Sequence, residues 1–190
     1  MFNLKFNTMK RLLLILFSII SFNSFAQDVK FMGQNLGDDF DKFCNGLKVK
    51  GLAIKTDRFN KREFEGTFAT YNDCRIVITS TEVSKKVKSA EVIFESIRND
   101  EYEVNKTFKE ILAQYQNKYG EAVKKTSTSD NYKYFGQTTY TIKLGDVVIR
   151  LNKFSPCYLS PDECSMSIFY YSESLMKTKE ENTNTYSNDI

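Results

Sequence analysis

The sequence predicts an α+β protein: an antiparallel sheet with two helices packed on one face. Three observations carry that expectation. Two stretches repeat apolar residues at helical spacing, other stretches are rich in β-branched and aromatic residues between turn signals, and the order helix-then-strands occurs twice. A helix followed by three or four meandering strands can bury its apolar stripe against one face of the sheet they form. The repetition points to a helix-plus-strands unit in tandem, with halves at 28–98 and 102–171 of a single domain spanning 27–171.

The first residues read as an export signal. Lys10 and Arg11 precede an apolar run from Leu12 to Ile20, and small residues follow at Ser24 and Ala26, the −3 and −1 positions of a cleavage site. Cleavage is expected between Ala26 and Gln27, leaving residues 1–26 as signal peptide. The apolar run falls well short of the roughly 20 residues of a membrane-spanning helix, so no span is expected after signal removal. The chain's net charge of +3 belongs to this segment, which holds Lys5, Lys10 and Arg11 and no acid. A chain beginning at Gln27 is formally neutral and lacks the positive field that nucleic-acid binding needs.

Each element then follows in order. In "GDDFDKFCNGLKVKG", Phe40, Phe43, Cys44 and Leu47 fall at i, i+3, i+4 and i+7; Asp38 or Asp39 can cap the start and Gly51 the end. Strands are expected at "EFEGTFATY", "CRIVITST" and "KSAEVIFES", with "YND" as a turn. The second helix, "EVNKTFKEILAQYQNKYG", carries Val104, Phe108, Ile111, Leu112, Tyr115 and Tyr119 as one stripe and stops at Gly120. "QTTYTIKL", "DVVIRLNKF" and "SMSIFYYS" complete the second set, with "LGD" as a turn. Phe40 with Phe108, Gly66 with Gly136 and Ile78 with Ile149, each about 70 residues apart, suggest how the halves align. Residues 172–190 turn polar and aperiodic and read as a disordered tail.

Four cysteines follow the cleavage site. In an exported chain an even number implies disulfides, and three connectivities are open. Cys157–Cys164, bracketing a short loop between two strands, and Cys44–Cys74, pinning the first helix to the sheet, are the expected pairs. Zinc is the competing reading, but closely spaced cysteine pairs and histidine are both missing. No metal and no cofactor are expected.

The order "KFMGQNLGDDFDKFCNGLKVKGL", "FEGTFATYNDCRIVIT", "VKSAEVIFES", "FKEILAQYQNKYGEA" resembles a family of small exported proteins of Bacteroidetes over most of residues 30–171. That resemblance implies export and fold and transfers no catalytic residue; the "PCYLSPDEC" loop departs from it. The element order is also similar to that of β-lactamase inhibitory proteins, and a single unit is similar to small outer-membrane assembly lipoproteins. This likeness implies protein binding.

Catalysis finds little support in the residues. The absence of histidine removes Ser-His-Asp and Cys-His systems. The acidic groups, Asp38, Asp39, Asp41 and Asp162 with Glu163, sit side by side in sequence rather than across a cleft, and the calcium-loop pattern is missing. No catalytic residue is assigned. Recognition is the stronger expectation. Alternation sends Tyr132 and Tyr134 to one side of a strand and Phe135 to the other, and sets Phe169 and Tyr171 against Ile168 and Tyr170. Tyr132, Tyr134 and Tyr171 are the candidates on an exposed sheet face; Tyr158 and Leu159 are those of the Cys157–Cys164 loop. The expected partner is another protein in the periplasm, envelope or medium. A structural or assembly factor of the envelope, using a sheet edge, and an enzyme of unknown type are the alternatives.

Overall fold

The computed structural model describes residues 29–126, 136–155 and 163–178. The expected signal peptide lies outside them. The fold is α+β. Asp39 caps the first helix, α1 (Phe40–Val49), accepting the Lys42 N–H at 3.0 Å, and the chain leaves through Gly51 at φ +88°. Asp100 caps α2 (Glu101–Tyr119) in the same way, accepting from the Glu103 N–H at 3.0 Å, and Gly120 ends it at φ +55°. Each helix buries residues at one spacing: Phe40, Phe43, Cys44 and Leu47 in α1, and Val104, Thr107, Phe108 and Ile111 in α2.

A short hairpin, β1 (Lys30–Phe31) and β2 (Gln34–Asn35), precedes α1. After α1 come β3 (Ala53–Arg58), β4 (Lys61–Phe68), β5 (Tyr71–Ser80) and β6 (Val87–Phe94). After α2 come β7 (Val123–Thr126), β8 (Gly136–Leu144), β9 (Val147–Ser155) and β10 (Ser165–Ser172). Both sets are antiparallel meanders. They join through their last strands into one eight-stranded sheet, ordered β3-β4-β5-β6-β10-β9-β8-β7. The seam pairs Val92 with Ile168 and Ala90 with Tyr170.

Alternation divides the sheet into two faces. Phe64, Ile76, Val92, Ile168, Leu151 and Tyr140 form one cross-strand row toward the helices. They belong to one apolar cluster with the buried faces of α1 and α2. Phe31 seals its middle, with ring centroids 6.2 Å from Phe43, 5.9 Å from Phe68 and 5.2 Å from Tyr170. Nearby, the Tyr115 hydroxyl of α2 is hydrogen-bonded to that of Tyr170.

Several expectations need correction. The β4–β5 turn falls at Ala69–Thr70, so "YND" already belongs to β5. The halves align differently from the matches of Phe40 with Phe108, Gly66 with Gly136 and Ile78 with Ile149. Phe40 and Val104 each open the buried stripe of their helix, and Ala69 and Gly145 hold equivalent positive-φ turn positions. The polar tail begins later than Ser172. Ser172 ends β10 and residues 173–178 are helical, held by Asp146, which accepts the Ser174 N–H at 2.8 Å and the Ser174 hydroxyl at 2.9 Å.

The Cys44–Cys74 bridge is not formed: both carry free, buried thiols. Cys44 lies beside Arg62, which pairs with Ile78 across β4–β5, whereas Cys74 pairs with Gly66. The Cys74 thiol instead donates to the Tyr71 carbonyl at 3.4 Å. Burial pushes the Cys44 thiol up to about 11, although the Arg62 charge pulls the other way. Cys164 is also a free, buried thiol, and Cys157 lies outside the described residues.

Candidate binding surface

The face opposite the helices is built by the alternate residues of the same strands. Its central row reads Glu63, Val77, Glu91, Phe169, Arg150, Thr141, Lys124 from β4 to β7, each residue paired directly with the next. Phe169 and Tyr171 project from β10 with rings stacked 5.3 Å apart, and the Arg150 guanidinium lies 5.0 Å from the Tyr171 ring centroid. Both aromatic residues are half-buried and Arg150 is exposed. Val77 and Val148 are buried on this side yet stand apart from the main core cluster.

A polar ladder lies beside the aromatic pair. Gln137 Nε2 donates to Thr139 Oγ1 at 3.3 Å, Thr139 donates to Asn152 Oδ1 at 3.0 Å, and Asn152 Nδ2 donates to Ser167 at 3.5 Å. Thr139 and Ser167 are buried, so these bonds satisfy groups that would otherwise be costly to hide. Toward β4 the face carries ion pairs: Glu63 meets Lys61 at 2.7 Å and Arg75 at 3.8 Å, and Arg75 meets Glu95 at 2.8 Å. The Lys61 hydrogen bond, helped by the charges of Lys61 and Arg75, outweighs desolvation and holds the Glu63 carboxyl below its ordinary range.

Of the residues singled out from the sequence, Tyr171 is on this face. Tyr132, Tyr134, Tyr158 and Leu159 lie outside the described residues. The ends flanking both undescribed internal segments adjoin, since Thr126 pairs with Thr139, Gly136 with Ser155 and Phe154 with Ser165. Arg150, Glu91 and Asn152 escaped the sequence reading. The alternation of "DVVIRLNKF" separates Val148, Arg150 and Asn152 from Val147, Ile149 and Leu151, a signal for a polar outer face, but placing Arg150 beside Phe169 required the register.

The acidic cluster near α1 is accounted for by structure. Asp39 caps the helix, Asp38 accepts the Asn35 N–H at 3.2 Å, and Asp41 meets Arg62 at 3.1 Å. Among the described residues, no group of three His, Cys, Asp or Glu side chains is placed to hold a metal, and no helix is long and apolar enough to cross a membrane.

Fold and face define a class: a two-unit α+β protein with one sheet face sealed by helices and the other free of them among the described residues. Comparison with protein-family models, curated proteins and solved structures finds no match.

Proposed function

We propose that this is an exported, non-enzymatic binding protein that recognises another protein through the helix-free face of its sheet. The observation that supports this reading is the stacked Phe169–Tyr171 pair with Arg150 beside it. Aromatic and arginine side chains dominate binding hot spots because they offer large contact area with directional polar groups. Regular strands also position them firmly, so little ordering cost accompanies binding. Export rests on the basic-apolar-small pattern of residues 1–26.

The test is a cross-linked pull-down from envelope and culture-fluid fractions, comparing the parent with Phe169→Asp and with a Tyr158→Ala/Leu159→Ala double variant. A partner lost with Phe169→Asp and kept by the loop variant is the expected result. Loss with the loop variant alone would move recognition to residues 157–164. Retention by both variants would overturn the sheet-face reading and favour an edge strand, as an envelope assembly factor would use.

A further inference from the structure

The central row of the helix-free face is antisymmetric in charge about Phe169. One strand to either side stand Glu91 and Arg150; two strands out, Val77 and Thr141; three strands out, Glu63 and Lys124. Among the described residues neither Glu91 nor Arg150 enters an ion pair within the chain; Arg150 spends its charge against the Tyr171 ring alone. Lys124 is exposed at the β7 edge.

Consider a two-fold axis lying in the plane of such a face and running along β10. It turns a second copy over onto the first and exchanges left with right. Glu91 then faces Arg150 of the other copy, Glu63 faces its Lys124, and Phe169 meets Phe169. The neighbouring rows bring no like charges together: Ser89 falls opposite Val148, and Ile93 opposite Asn152. An isologous contact requires this self-complementarity.

The dimensions suit a stable contact. An axis along β10 overlays the strands from β4 to β7, five of them full length and β4 matched by the four-residue β7, and these present roughly 25 by 30 Å at standard strand spacing. That is on the order of 800 Å² per copy, the size of an ordinary specific interface. Two sheets packed face to face at about 10 Å let the Phe169–Tyr171 stacks of both copies meet.

We infer that the occupant of this face, when the chain is alone in solution, is a second copy of the same chain, packed sheet to sheet about a two-fold axis along β10. The inference deepens the proposed function and rests on the same surface, so a foreign partner would compete with the second copy.

Sedimentation velocity of the purified protein tests it, read together with charge reversals. The parent should sediment as a dimer, more weakly at high salt. Glu91→Arg and Arg150→Glu each convert both attractive contacts into repulsive ones and should weaken association by roughly a hundredfold. The decisive arm mixes the two variants. One carries positive charge at both positions and the other negative charge, so the mixture should form a heterodimer although each alone is monomeric. A double variant carrying both reversals should dimerise again, and its far-ultraviolet spectrum should match the parent. A parent that stays monomeric, a dimer indifferent to both reversals, or a mixture that stays monomeric would overturn the inference. None of these outcomes decides the pull-down with Phe169→Asp, so failure of the dimer and failure of the binding surface are separately visible.

Discussion

Tyr115 and Tyr170 meet hydroxyl to hydroxyl between α2 and the central strand β10. Burial pushes Tyr115 up to about 12, although its bond to Tyr170 acts the other way, and burial raises Tyr170 as well. Tyr115→Phe would leave the Tyr170 hydroxyl buried without this partner, at a cost of about 1–3 kcal/mol. The double variant Tyr115→Phe/Tyr170→Phe removes both polar groups and should recover much of that loss, measured by urea unfolding at pH 7. The pair also contributes to the alkaline limb, together with the buried thiol of Cys44. Below about pH 10 folded and unfolded tyrosines both hold their protons. Between that pH and the raised folded values, the unfolded chain releases protons the folded chain keeps, so stability falls as pH rises. At pH 11 the double variant should lose less of its pH 7 stability than the parent. An equal loss would mean that other groups govern alkaline unfolding.

At the scale of elements, the two helices and three of their four ends were legible because their signals are local. Asp39, Gly51 and Gly120 bound apolar stripes of one spacing, and a cap needs only residues three or four apart; Asp100, which caps α2, was not singled out. The edge strands β3 and β7 were not legible. β3 is exposed at nearly every position, so it has no buried side and no alternation to read. Residues 173–178 were misread for a related reason: their order comes from the β8–β9 turn. Burial alone would raise the Asp146 carboxyl, but hydrogen bonds from Ser172 and Ser174 outweigh it and hold it below the usual range. Asp146→Ala should release 173–178 while leaving the sheet intact. Hydrogen exchange should quicken in that segment and not at the β9–β10 amides; unchanged exchange would show that other contacts hold it.

The whole molecule depends on the seam between β6 and β10, where the two units share an interior row. Val92 and Ile168 face each other there with no exposed surface. Ile168→Ala should cost about 2–5 kcal/mol and leave a single unfolding transition, because one apolar cluster spans both units. Two resolved transitions would show that the units unfold separately. From the sequence alone came the fold class, the two helices, the tandem order of helix and strands, and the division of Ile168 and Tyr170 from Phe169 and Tyr171. Those follow from periodicity, which local sterics and burial impose on any chain. Tertiary structure alone decided that the units join through their last strands, that Cys44 and Cys74 stay unbonded, and that Glu91 and Arg150 flank Phe169. Each of these depends on strand register and on distances between segments remote in sequence, and pairing is set by the packing of the whole sheet rather than by neighbours along the chain.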